Sequence, residues 1–593
     1  MDERNAIGMS ATTPNRAFRR QAVAAGLLSS AVLGLLFVYP VAWIVVKGFR
    51  WPTVGELVRN RRIWRIIWFS GWQALASTLG VLILATPLAG LLAGRPVAGR
   101  RWLLAVIAAP FTLPTVVVAA SFREVLPRSL ASGVPAIISA HIFYNLGMAT
   151  LILLPRFELI DQTLAQAAST LGASRSRIHR TITLPLVAPA IINAALLTFT
   201  LCFTSFGVVL MLGGSRRTTL DVEIYQQALQ RSRFDRASVL AVFQFAVLAT
   251  LAFLSSRRRP TALSNRPARR PNKVGPGSRS YARNTLVLIV LFFVVAPLTA
   301  LVRRSLREPS GSFGLENFCA LWRITKGSGL INSPISSFGV SARSAAIAGT
   351  LALIIGAGLV VAAQEVVRLR STFRLFASLP LATSSVQLGL GFLLAFAAAP
   401  LAWRSRWFAV PLVQAVVSVP FVVRQLSPVL EAVPRGLRNA AMTLGASPWR
   451  AWRTIDFRLS RPAFTSAMAI ALAISLGEFG AATFLARPDG PTVPVAIARL
   501  SGHPGDVVQG QAAALATLLG LVTLVLVIVA RTLGAANPSP TSRTLEPSPS
   551  PSPNSETSSI TSKAPTASKL PVSPSQSAAL SRGAQPLRGG QRE

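Results

Sequence analysis

Acidic side chains are scarce: 20 Asp and Glu stand against 60 Lys and Arg, and charged residues make up only 13% of 593 positions. A soluble chain carries about 25% charged residues, so the shortage argues against a soluble protein with a large core. The acids are also too dispersed to build a catalytic centre. No Ser-His pair and no cluster of His, Asp and Glu stands within an apolar run, so a membrane-embedded enzyme is excluded and no catalytic residue is assigned. Histidine occurs three times, at His141, His179 and His503, with no zinc-ligand spacing, and no metal site is expected. The two cysteines, Cys202 in an apolar run and Cys319 in a loop, give no disulfide framework. A G-x-x-x-x-G-K-[ST] stretch is absent, so the chain has no phosphate-cradling loop and binds no ATP or other cofactor of its own.

What is present is apolar: 51% of the residues are hydrophobic. Runs of about 18 or more apolar residues recur, long enough to cross ~30 Å of hydrocarbon. The spans are expected near 25–46, 73–94, 102–122, 133–154, 186–211 and 238–255, then near 284–302, 342–363, 374–397, 407–427, 463–485 and 510–530. The fold class is therefore all-α: a polytopic transmembrane helical bundle of about twelve spans. Pro110 and Pro114 should interrupt the third span, and Pro411 and Pro420 the tenth. The first run follows Arg16, Arg19 and Arg20, as in a signal peptide, but it is too long for one and shows no small-residue cleavage site.

The net charge of +40 lies mostly in short loops and tails beside apolar runs. Anionic headgroups would meet it there, whereas nucleic acid needs one continuous basic face on a folded module. Membrane lipid is thus an expected partner and nucleic acid is not. A cytoplasmic segment is expected over 1–24, a first permeating repeat over 25–255, and a basic linker over 256–283. A second repeat follows over 284–533, then a Pro/Ser-rich disordered tail over 534–593. With both termini in the cytoplasm, the linker is inside too; only the first loop, with Lys47, Arg50, Arg59, Arg61, Arg62 and Arg65, runs against the positive-inside rule.

The two halves are copies. Gln166-Ala167-Ala168 through Gly172 to Ile182 returns as Asn439-Ala440-Ala441 through Gly445 to Ile455, at one offset of 273 residues. Glu158 and Glu431, Arg177 and Arg450, Thr181 and Thr454, Pro189 and Pro462, Phe206-Gly207 and Phe479-Gly480, and Ile224 and Ile497 keep that offset without a gap. The polar segment reads as a short helix, a glycine that permits a tight turn, and a second helix. Its small residues would let a partner approach closely.

This pattern resembles the cytoplasmic loop of bacterial ABC importer permeases, E-A-A, three residues, G, nine residues, I, one residue, L-P. The first copy matches at Ala167, Ala168, Gly172, Ile182, Leu184 and Pro185, with Gln166 in place of the acid. The second matches at Ala440, Ala441, Gly445 and Ile455, with Asn439 for the acid and Phe457-Arg458 for Leu-Pro. The resemblance implies that both segments dock on a separate ABC ATPase, a homodimer that carries ATP and Mg. It also implies an extracytoplasmic solute-binding protein and a multi-pass location in the cell membrane. Fused duplicates are similar to the permeases of thiamine and ferric-iron importers. Leu201 to Gly207 and Ser475 to Gly480 look nearest to the thiamine type, so thiamine or its phosphates are the expected cargo, with ferric iron as the alternative.

Glu478 is expected inside an apolar span, where an ionisable group usually faces the bundle interior or a wet cavity. Ser205 holds the equivalent place in the first copy, and Phe206 and Phe479 could offer aromatic faces to a cation. These four residues are the expected translocation path; the competing reading has Glu478 capping a helix and the phenylalanines packing. His141 and Asn145, one helical turn apart, are expected to bond helix to helix. A gradient-driven carrier of two six-span halves is the other class of transporter, but it has no use for the repeated polar segments.

Overall fold

The computed structural model describes residues 16–93, 99–214, 217–257, 279–397, 402–403 and 406–535, all within one compact unit. The Pro/Ser-rich tail and most of the basic linker and the N-terminal segment lie outside the described residues.

Among the described residues the structure is helical and has no sheet. In the first copy, α1 (Phe18–Gly48) and α2 (Arg61–Leu92) precede a broken pair, α3 (Arg100–Ala108) and α4 (Thr115–Val125). Then come α5 (Val134–Glu158), the short α6 (Gln162–Thr170), α7 (Arg175–Phe203), α8 (Gly207–Leu212), α9 (Leu220–Tyr225) and α10 (Phe234–Arg257). The second copy repeats the plan with α11 (Arg279–Leu306), α12 (Ser336–Glu365), α13 (Arg370–Ser378), α14 (Ser385–Ala395) and α15 (Ala409–Ala432). It ends with α16 (Arg435–Thr443), α17 (Pro448–Gly477), α18 (Gly480–Leu485), α19 (Val493–Ser501) and α20 (Asp506–Ala535). Among the described residues ten helices are long and apolar enough to cross a membrane, or up to twelve spans if each broken pair counts as one.

Three expectations need correction. The third and ninth spans are broken by about a right angle, 103° and 97°. Pro110 and Pro114 sit at the first break, whereas Pro380 marks the second. The tenth span is unbroken: Pro411 lies in the first turn of α15, where its missing N–H costs nothing, and Pro420 is tolerated inside packed neighbours. The fifth and eleventh spans stop early, at Phe203 and Gly477, so Glu478 lies at a helix break rather than within a span.

The first helix of each copy packs on the other copy. Gly26 of α1 lies where a Cβ would sit 2.3 Å from the Ala362 Cβ, and Gly358 of α12 would crowd the Ser29 hydroxyl at 2.3 Å. Small residues thus let α1 and α12 approach closely in a medium that supplies no hydrophobic drive between helices. On the other side, Phe293 of α11 meets Phe122 and Phe143, each at 6.3 Å between ring centroids. The copies therefore grip each other by exchanged helices.

Polar contacts inside the bundle recur in both copies. The Ser70 hydroxyl accepts the Leu220 N–H at 3.0 Å, and the Ser341 hydroxyl accepts the Val493 N–H at 2.8 Å. Glu158 pairs with Arg100, and Glu431 with Arg370 at 2.9 Å and Arg374 at 2.6 Å, which ties each helix before the break to the end of the span after it. His141 and Asn145 bond between helices: His141 Nδ1 is 3.2 Å from Ser77 Oγ, and the Asn145 amide reaches Cys202 Sγ at 3.5 Å.

Candidate functional site

The two repeated polar segments share one helix–glycine–helix fold. Asp161 accepts the Thr163 N–H at 2.9 Å and starts α6. The helix stops at Gly172, whose φ of +80° is left-handed; Gly445 has φ +86°. A Cβ makes that conformation costly, which is why glycine stands there. Ala173 N–H donates to Ala168 and Gly172 N–H to Ser169, both at 3.0 Å; Ala446 donates to Ala441 and Gly445 to Met442, again at 3.0 Å. This paired closure satisfies carbonyls that the helix end would otherwise leave open. Ser174 and Ser447 then cap the next helices, each accepting an N–H at 3.3 Å, from Arg177 and Arg450. Both of these helices widen into one π turn, His179–Thr183 and Trp452–Phe457, before entering the long span.

The resulting knobs stand on one face of the bundle. Gln166, Ala167, Asn439 and Ala440 are exposed, and Ala168, Ala441, Ile182 and Ile455 are half-buried. Sequence reasoning passed over the most prominent side chains: Leu171 is 88% exposed and Leu444 89%. Leu164 and Leu437 are exposed beside them. All four hold the 273-residue register, the signal that could have found them. Two matching apolar pairs left in water mark a contact surface.

The knobs differ at the start of the first helix, where Pro434 offers no side-chain cap in place of Asp161, and in their anchoring. In the second, Arg438 of α16 pairs with Asp456 of the π turn and with Glu365 at the end of α12. The first knob has Ala165 and Thr183 in the corresponding places and lacks this clamp.

The expected path residues lie near the other face. Phe206 and Phe479 are brought together across the two copies, stacked with centroids 5.2 Å apart. Tyr225 closes against Phe206 at 5.4 Å and against Phe484 at 6.0 Å. Ser205 and Glu478 are buried at the same level. The Glu478 carboxylate accepts the N–H groups of Ala481 at 2.8 Å and Ala482 at 2.9 Å, so it caps α18. Gly207 and Gly480 allow α8 and α18 to touch the restarts of the broken helices; a Cβ would lie 2.3 Å from Thr115 Oγ1 and 2.1 Å from Ser385 Oγ. A further link escaped the sequence: the Ser384 hydroxyl, which caps α14 in the second copy, donates to Asp221 of the first at 2.8 Å.

The sequence matches the family described as "Binding-protein-dependent transport system inner membrane component" twice, over residues 85–259 and 354–536. The thiamine transport system permease protein ThiP of Brucella suis is 29% identical over 509 residues, covering 79% of this chain and 87% of the relative. ThiP of Escherichia coli K12 is 27% identical over 514 residues, covering 81% and 92%, and that of Haemophilus influenzae 27% over 455 residues, covering 72% and 81%. Two in-register knobs, two broken spans and two family matches leave one assignment: the chain belongs to the family of binding-protein-dependent transport system inner membrane components, with two permease copies fused in one polypeptide.

Proposed function

We propose that this permease imports thiamine or its phosphate esters, driven by a separate ATPase, a homodimer, docked on the two knobs. The observation that carries the reading is the pair of matching helix–glycine–helix knobs exposing Leu171 and Leu444 on one face. A two-fold engine needs two equal handles, and a gradient-driven carrier needs none. Relatives named for thiamine transport support the cargo. In this reading the knob face and both termini are cytoplasmic, and a solute-binding protein delivers cargo at the opposite face.

The path passes between the copies at Ser205, Phe206, Glu478 and Phe479. Stacked Phe206 and Phe479, with Tyr225, seal it toward the delivery face, and their rings would meet an organic cation when they part. ATPase closure would bias the bundle between two packings, opening one face as it shuts the other.

The test is uptake into proteoliposomes holding the chain, its ATPase and its binding protein. Labelled thiamine should accumulate only with ATP, and ferric iron should not. Thiamine uptake driven by an ion gradient without the ATPase would sink the reading.

A further inference from the structure

A cavity of about 200 Å³ lies on the face opposite the knobs, where α12 and α15 begin and the segment after α18 folds back. Its wall carries three guanidinium groups, Arg343, Arg406 and Arg487, against one carboxylate, Asp489. Arg487 spends its charge on Asp489, donating from Nε at 3.0 Å and from Nη2. The other two have no carboxylate beside them in the wall. Arg343 sits two turns inside α12, its guanidinium held over the Trp407 ring at 5.3 Å from the centroid. The indole fixes the fork without consuming its N–H donors. Val340, Val410 and Leu485 give the wall an apolar side, and Ser344 adds a hydroxyl-bearing residue.

The first copy has no arginine at two of the matching positions. The matching hydrogen bonds of Ser70 and Ser341 align Trp72 with Arg343, and the 273-residue offset places Gly214 at Arg487. Among the described residues, this set of arginines is therefore not required by the shared architecture.

We propose that this cavity binds one phosphate group per chain, held by Arg343 and Arg406 and, on loosening of its partner, by Arg487. Guanidinium forks match phosphate oxygens two at a time, and the site's charge of two beyond neutrality calls for an anion. Trp407 is half exposed just before α15 begins, and indoles are enriched near the ends of membrane-spanning helices. Two sources supply this chemistry: an anionic phospholipid, whose chains would lie on the apolar wall, or free phosphate.

Full-length protein in nanodiscs of phosphatidylglycerol and phosphatidylcholine, examined by native mass spectrometry, separates the two. One phosphatidylglycerol retained per chain, with no thermal shift from inorganic phosphate over chloride in lipid-free detergent, identifies the headgroup. A thermal shift from phosphate without lipid preference identifies the free ion. In either case Arg343→Gln/Arg406→Gln should weaken binding by about tenfold or more, the effect of losing charge-assisted bonds. Asp489→Asn should strengthen it several-fold by releasing Arg487, a gain that misfolding could not mimic. Arg59→Gln/Arg65→Gln, on the same face but outside the cavity, serves as the control. Equal retention and equal thermal shifts in all variants would overturn the proposal, as would loss in the control alone.

Discussion

Replacing Arg438 with methionine keeps the length of the side chain and removes its charge. In the native structure Arg438 Nε donates to Asp456 Oδ2 at 2.9 Å, and its Nη groups pair with Asp456 and Glu365. The Asp456 side chain is 1% exposed and that of Arg438 16%, so solvent cannot replace the lost partner. Removing one member of a buried pair costs about 3–5 kcal/mol, because the other is left as an uncompensated buried charge. The three residues join α16, the π turn and the end of α12, while the membrane-spanning packing lies elsewhere. The cost should therefore fall on the second knob's attachment and not on the bundle. At about 1.4 kcal/mol per decade, the open population of that knob should rise by roughly two to three and a half decades. Amide exchange over residues 435–457 reads this directly, with residues 162–178 of the first knob as an internal standard. Protection should fall in the second knob only, and ATP hydrolysis should lose its coupling to uptake. Arg438→Met/Asp456→Asn/Glu365→Gln should recover most of the loss, since no buried charge is then orphaned. Unchanged exchange in the single variant, or a triple variant as open as the single, would refute the reasoning.

Gly172→Val and Gly445→Val should each cost roughly 1–2 kcal/mol of local stability, all of it backbone strain, since a Cβ at either site would touch nothing within 4 Å; asparagine should restore most of it, measured by the same exchange experiment. Leu171→Asp and Leu444→Asp should leave the melting temperature unchanged, because both side chains stand in water, yet abolish co-purification of the ATPase. Persistence of the complex in the double variant would remove the leucines from the contact. Glu478→Gln keeps an oxygen to accept an N–H at the start of α18 but loses the charge, so ATPase coupling should survive while thiamine uptake falls several-fold; unaltered uptake would leave Glu478 as a cap only.

The helix–glycine–helix knob was legible because its chemistry is local. A turn-permitting glycine and an alanine-rich helix declare themselves within a few residues, and repetition at one offset removes coincidence; the serine caps emerged only from the structure. The crossings were legible because the bilayer imposes length and apolarity. Breaks were harder. Pro110 and Pro114 gave the first, but Pro380 stands among apolar residues much as Pro420 does, and only packing decides which proline ends a helix. Glu478 looked intramembrane because the apolar run continues past it; the carboxylate's two amide partners exist only once α17 has stopped at Gly477. Asp221 and Ser384 were invisible as a pair because their meeting depends on how the two copies face each other.

The gap-free register carries a mechanical meaning beyond common origin. It runs from Glu158 and Glu431, before each knob, through Phe206 and Phe479 to Ile224 and Ile497. Between knob and aromatic seal lies one nearly continuous helix, 29 residues in α7 and 30 in α17. At ~1.5 Å per residue such a helix spans ~45 Å, and each added residue would turn its far end by ~100° relative to its near end. Length and phase together fix where the phenylalanines point when the knobs are held. Elsewhere the copies tolerate drift: Ser70 and Ser341 make equivalent bonds two residues out of register. Strict spacing thus includes the whole segment between knob and stacked phenylalanines, as the proposed transmission requires. Arg438 then makes the second of the two levers stiffer at its root than the first, so an equal push on both knobs need not move both copies equally.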